Sequence, residues 1–163
     1  MLVGVMSDTH GRRRAARAAM KRFAQLNVEY VIHCGDVGGI EVFSELLALP
    51  CTFVWGNTDF PEQGVHAFLN SVGLRTPGKP PARLTLDGKR FAVFHGHESG
   101  FSRAVNALDV DYLLHGHTHV ARDERTGRVR IINPGALHRA HPKSVATLHT
   151  RTDTLTFHEI DGA

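Results

Sequence analysis

The first 59 residues contain three short apolar runs, and each ends in a turn that joins glycine to a carboxylate or an amide. Leu2-Val3-Gly4-Val5-Met6 stops at Ser7-Asp8-Thr9-His10-Gly11. Tyr30-Val31-Ile32-His33-Cys34 stops at Gly35-Asp36, and Cys51 to Trp55 stops at Gly56-Asn57-Thr58-Asp59. Short continuous apolar runs mark strands buried on both faces. Between them, Ala16, Ala19, Met20, Phe23 and Leu26 recur at helical spacing over Arg13 to Leu26. Val42, Phe43, Leu46 and Leu47 do so over Ile40 to Leu49, where Pro50 closes the helix. Strands alternating with helices require right-handed parallel crossovers, which leaves few topologies open. Ligands of an open α/β sheet sit at the carboxyl ends of its strands. Asp8, His10, Asp36, Asn57 and Asp59 are therefore expected on one sheet edge.

The remaining chain predicts a short helix over Gln63 to Val72 and a loop rich in glycine and proline over Thr76 to Pro81. Two runs, Arg83 to Leu86 and Lys89 to Phe94, flank Asp87-Gly88, a strong hairpin signal. A helix near Ser102 to Leu108 precedes a strand at Tyr112 to Leu114. A second hairpin, Val120 to Glu124 with Val129 to Ile132, turns at Thr126-Gly127. Strands over Ser144 to His149 and Leu155 to Ile160 end the chain. The second half thus reads as a second, mixed or antiparallel sheet packed on the first. With 163 residues and no internal repeat, the expectation is one domain spanning 1–163. Trp55 is read as core.

Composition excludes more than it identifies. Hydrophobic residues make up 42% and charged residues 21%, which rules out long disorder. No apolar run approaches the ~18 residues of a membrane span, and no signal peptide is visible. Cys34 and Cys51 are too few for a disulfide framework and read as reduced thiols, so a cytoplasmic location is expected. The net charge of +3 suits an anionic ligand without demanding nucleic acid. No basic patch interleaved with aromatic residues supports single-strand binding. Nucleic acid enters only as a substrate.

The polar residues at the strand ends are Asp8-x-His10, Gly35-Asp36, Gly56-Asn57-x-Asp59, His95-Gly96-His97 and Gly116-His117-Thr118-His119. Carboxylate, amide oxygen and imidazole suit zinc and first-row divalent metals. In an extended turn, side chains at i and i+2 point the same way, so Asp8 with His10, and His117 with His119, can each serve one site. Each fragment alone is weak. Five in order, each after an expected strand, have no economical structural explanation, because burying so many polar groups is costly.

Taken together the fragments resemble the calcineurin-like metallophosphoesterases, and more narrowly the small phosphodiesterases of the YfcE type, related to Vps29-type proteins. Ile132-Asn133-Pro134-Gly135 matches the family's closing turn. The resemblance implies a four-layer αββα sandwich of two mixed β-sheets flanked by helices, an α/β fold. It implies two divalent metal ions, Mn2+ first, with iron, zinc and nickel as alternatives. Asp8, His10 and His119 would hold one ion and Asn57, His95 and His117 the other, with Asp36 bridging. The implied activity is hydrolysis of a small phosphodiester by hydroxide shared between the metals. His97 becomes a candidate on the substrate side, and the resemblance also points to a homodimer.

Where many relatives carry histidine after Gly-Asn, this chain has Thr58, a poor proton donor at pH 7. Diesters are therefore favoured over phosphomonoesters. Asp59 is expected to orient a ligand histidine or the Asn57 loop. Arg12, Arg13 and Arg14 read mainly as a solvated helix face. Among the other histidines, His115 and His138 are expected nearest the site. The competing reading is a non-catalytic scaffold like the Vps29-type proteins, which tend to lose these histidines; all seven are present here.

Overall fold

Alternation along β1 (Leu2–Met6) sets the layering. Val3 and Val5 point to one face of their sheet and Met6 to the other, as the period of two requires. The computed structural model describes residues 1–160. After β1 follow α1 (Arg13–Gln25), β2 (Tyr30–His33), α2 (Ile40–Leu46), β3 (Cys51–Phe53) and α3 (Gln63–Ser71). Then come β4 (Ala82–Leu86), β5 (Lys89–Val93), α4 (Phe101–Ala107), β6 (Tyr112–Leu114), β7 (Arg122–Thr126), β8 (Val129–Asn133), β9 (Ser144–His149) and β10 (Thr154–Glu159).

Two five-stranded sheets form, in the orders β10-β9-β1-β2-β3 and β4-β5-β6-β8-β7. Each has three adjacent parallel strands: β1, β2 and β3 run out to one edge of the first sheet, and β5, β6 and β8 form the centre of the second. Val3, Val5, Ile32, Ala146 and Leu148 of the first sheet meet Phe91, Val93, Leu114 and Ile132 of the second. Outside the first sheet, Met6, Val31 and Phe53 pack on Ala19 and Phe23 of α1 and Phe43 of α2. Outside the second, Ala92, Leu113 and Ile131 pack on Ala104 of α4. The result is the expected α/β sandwich of four layers.

One expectation fails. The last two strands do not extend the second sheet. β9 pairs antiparallel with β1, Val3 opposite Leu148 and Val5 opposite Ala146, and β10 lines up beside it. Both faces of β9 are largely buried: Ala146 and Leu148 face the second sheet, while Val145 joins the helix-side core and Thr147 on that same face bonds His158. Pairing with the open edge of β1 places one face against the second sheet and the other in the helix-side core. Smaller differences are local. α2 stops at Leu46, and Leu49 N–H bonds back only to Leu46, because the residue before Pro50 is driven out of helical geometry. The second hairpin turns at Gly127-Arg128, so β7 runs to Thr126. The first hairpin turns as expected, with Asp87 and Gly88 both at positive φ. Trp55 is half-buried and packs edge-on to Phe43 and Phe53. Residues 161–163 of the expected domain lie outside the described residues.

Arg130 fastens the second sheet to the turn before β10. Its guanidinium donates to Asp123 at 2.7 and 2.8 Å and to Asp153 Oδ1 at 2.8 Å, and is itself only 10% exposed. Arg130→Leu is expected to cost ~2 kcal/mol, less than the ~3–5 of a fully buried pair because both carboxylates stay wet. Arg130 holds Asp123 below the ordinary carboxylate range; at Asp153 burial pushes upward, and Arg130, Tyr112 and Arg125 together outweigh it. Groups with a depressed folded pKa contribute stability above the unfolded value of about 3.9, and lose it as pH falls through the folded value. Melting curves between pH 6 and pH 3 should therefore fall less steeply for the variant than for the wild type.

Candidate metal centre

The carboxyl ends of β1, β2, β3, β5, β6 and β8 open onto one region, and backbone bonds zip their loops together. Asp8 N–H donates to Gly35 O at 3.0 Å, His10 N–H to Asp36 O at 2.8 Å, and Gly116 N–H to His95 O at 2.8 Å. Nine non-glycine residues adopt positive φ among the described residues, and five of them are Asp8, His10, Asp36, His117 and His119. Aspartate and histidine tolerate this region better than most, yet each such residue still costs about 1–3 kcal/mol. Backbone strain gathered at these five residues belongs to a site whose loops are held by their surroundings.

Donor atoms of Asp8, His10 and His119 all lie within 4.8 Å of one another, as do those of Asp8, Asp36 and His95. Asp36 Oδ2 stands 3.4 Å from both His10 Nε2 and His95 Nε2. Asn57 Oδ1 is 3.0 Å from His95 Nε2, and the His117 ring centroid is 5.1 Å from that of His95. His97 is exposed at the rim, its ring 5.3 Å from that of His95. Thr58 donates its backbone N–H to Asp36 Oδ1 at 2.9 Å and sets its hydroxyl 3.3 Å from His10 Nδ1. Asp59 accepts N–H bonds from Val37, Gly38 and Gly56 at 3.1, 2.9 and 2.8 Å, which ties the β2 and β3 loops together. The His138 ring lies 5.1 Å from that of His10. His115 is buried beneath Gly116.

Charge explains why this cluster suits divalent cations. Asp8 is fully buried, and burial raises its pKa, although His95 and His119 pull the other way. Burial acts on Asp36 in the same sense, but His95 and Thr58 outweigh it and hold its carboxyl well below the ordinary range. Among the described residues, the ion-pair partners of both carboxylates are histidines alone. Asp8 Oδ1 and His10 Nε2 are buried with no hydrogen-bond partner. Such atoms cost about 1–3 kcal/mol each when left unmet. A lone-pair donor set of carboxylate, amide oxygen and imidazole around two buried acids fits cations of this kind. His95 donates Nδ1–H to Cys34 O at 2.8 Å, which leaves Nε2 facing Asp36 and Asn57.

Three supporting residues escaped the sequence reading. Glu98 accepts from the N–H groups of His95 and Gly96 at 2.9 and 2.7 Å and so fixes that turn. Asn133 donates to Gly116 O at 2.9 Å and to Thr118 Oγ1 at 3.0 Å, bracing the loop of His117 and His119. Buried His33 accepts from Gly35 N–H at Nδ1 and therefore donates Nε2–H to Thr9 Oγ1 at 2.8 Å. Burial, with His95 nearby, pushes His33 down to about 3, so it stays neutral. Only Asn133 carried a signal, as part of Asn133-Pro134-Gly135.

The chain is 32% identical over 138 residues to the phosphodiesterase MJ0936 of Methanocaldococcus jannaschii, covering 83% of each. It superposes on the structure of an archaeal phosphodiesterase with a TM-score of 0.85 and 28% identity, covering 98% of this chain and 99% of that one. It also shares its fold with zinc-complexed Vps29 from Entamoeba histolytica, at a TM-score of 0.72 and 23% identity over 100% of this chain and 95% of that one. The model of the calcineurin-like phosphoesterase superfamily domain matches residues 1–153. Matched over that length, and carrying buried acids among histidines where its strands end, the chain belongs to the calcineurin-like phosphoesterase superfamily.

Proposed function

We propose that this protein is a metal-dependent phosphodiesterase. The observation that carries the reading is a pair of buried carboxylates, Asp8 and Asp36, with donor atoms within 4.8 Å and, among the described residues, histidines as their only ion-pair partners. Asp8, His10 and His119 would hold one divalent cation, Asn57, His95 and His117 a second, and Asp36 both. Bound there, the two cations would acidify water and offset the charge that builds on the phosphoryl oxygens. The residues supply the rest. Asp36, 3.4 Å from a histidine of each set, fixes the spacing. Thr58 N–H and Asp59 keep the Asn57 loop against the β2 loop. His97, exposed at the rim beside His95, would meet a phosphoryl oxygen.

Mn2+ is the first choice of metal, and the free thiols of Cys34 and Cys51 support a reducing, cytoplasmic setting. No helix among the described residues is long and apolar enough to cross a membrane. Thr58 supports the choice of diester, since its hydroxyl cannot protonate a leaving group at neutral pH. With Mn2+ added, kcat/KM on bis(p-nitrophenyl) phosphate is expected to exceed that on p-nitrophenyl phosphate by at least ~10-fold, about 1.4 kcal/mol in transition-state binding. A preference for the monoester would overturn the diesterase reading. Purified protein that takes up no metal and hydrolyses neither ester would favour a Vps29-like scaffold.

A further inference from the structure

Beside the metal centre lies a cavity of about 630 Å3 that the reaction at the centre does not use. It begins at Gly11, the residue after His10, and is bounded by the first turn of α1 and the segment from Leu137 to Lys143. Arg12, Arg14, His138, Arg139, His141 and Lys143 line it, and among the described residues no carboxylate does. Arg13 also reaches the wall, but Glu45 takes its Nε–H at 2.8 Å. Among the described residues, no carboxylate pairs with Arg12, Arg14 or Arg139. The α1 N-terminus here has no side-chain cap and no acid in its first turn, so its partial positive charge adds to that of the arginines.

Arg139 itself adopts φ +50°. A left-handed arginine is uncommon, and this one is fixed between buried Leu137, whose N–H bonds Ser7 O, and buried Ala140. A solvated face of scattered arginines would not need such a backbone. The fork of a guanidinium matches phosphate oxygens better than any other side chain.

We propose that this cavity takes a second phosphate group of the substrate, so that the diester cut at the neighbouring centre carries a terminal phosphate one linkage away. The inference rests on the diesterase reading above and narrows its substrate class to phosphorylated diesters, such as a short nucleotide strand with a phosphate at its end. Proximity supports it: the His138 ring, on the cavity wall, is 5.1 Å from that of His10. A molecule whose diester lies over His10 and His119 has its next substituent at the mouth of the cavity.

Two measurements separate this inference from the reading on which it rests. Metal-stripped protein titrated with inorganic pyrophosphate by calorimetry should bind it, and more weakly as salt rises. The double variant Arg12→Ala/Arg139→Ala should weaken that binding by ~10-fold or more. Absence of binding, or binding indifferent to the double variant, would overturn the inference whatever the enzyme does. Separately, the manganese-loaded enzyme is given thymidylyl-thymidine with and without a 5′-phosphate. The phosphorylated dinucleotide should have the higher kcat/KM by ~10-fold, and the double variant should bring that ratio towards one. A ratio near one in the wild type also overturns it. If pyrophosphate binds but no diester is cleaved, bis(p-nitrophenyl) phosphate included, the diesterase reading falls and only the anion site survives.

Discussion

Asp36→Asn is expected to leave a folded protein with at least ~1,000-fold less diesterase activity, about 4 kcal/mol of lost transition-state stabilisation. The carboxylate is buried and lies 3.4 Å from a histidine of each proposed ligand set. Its other oxygen accepts Thr58 N–H. An amide at this position can still accept that bond, so the loop survives, but it removes the one negative charge that both proposed ligand sets share. Metal analysis of the variant should show less than the two ions per chain expected of the wild type, and chelation should bring the wild type to the same low rate. The melting temperature should move by no more than ~4 °C, the shift that ~1 kcal/mol produces in a domain of this size. A variant that keeps both ions and its turnover would remove Asp36 from the centre.

Much of this site is legible in the sequence, because apolar strands of period two and helices of period 3.6 write their own ends. Wherever a strand runs out, the next polar residues must lie at the sheet's carboxyl edge. This is why Asp8, Asp36 and His95 could be grouped although Asp8 and His95 stand far apart along the chain. The sheet that β9 joins is a different matter. Its own pattern says only that both its faces are buried, and the open edge of β1 that receives it is a property of the assembled fold. The same holds for Arg13, whose partner Glu45 arrives from α2, and for Glu98, whose grip on two backbone N–H groups requires the turn to be folded first. Ligands announce themselves by residue type at strand ends. The groups that aim them make ordinary hydrogen bonds whose partners are known only in three dimensions.

Two glycines separate site geometry from stability by a simple contrast. A Cβ on Gly56 would lie 2.1 Å from Asp36 Oδ1 and 2.4 Å from Asp36 N. Neither can yield cheaply, since one is the carboxylate of the centre and the other is backbone. Gly56→Ala should therefore displace Asp36 and lower kcat by ~100-fold or more, although Gly56 has no side chain to contribute chemistry; such a loss is about 2.7 kcal/mol in the barrier. A Cβ on Gly4 would lie 2.9 Å from the ring of fully buried Phe23, on the helix side of β1 and away from the strand ends. Overpacking there should cost ~1–3 kcal/mol of stability, read as a lower melting temperature with kcat little changed at a temperature where the variant is folded. If the two variants lost activity equally at matched stability, the close approach of Gly56 to Asp36 would have no functional meaning. If only Gly56→Ala lost it, the position of one carboxylate, set by a residue with no functional group, would be what limits the rate.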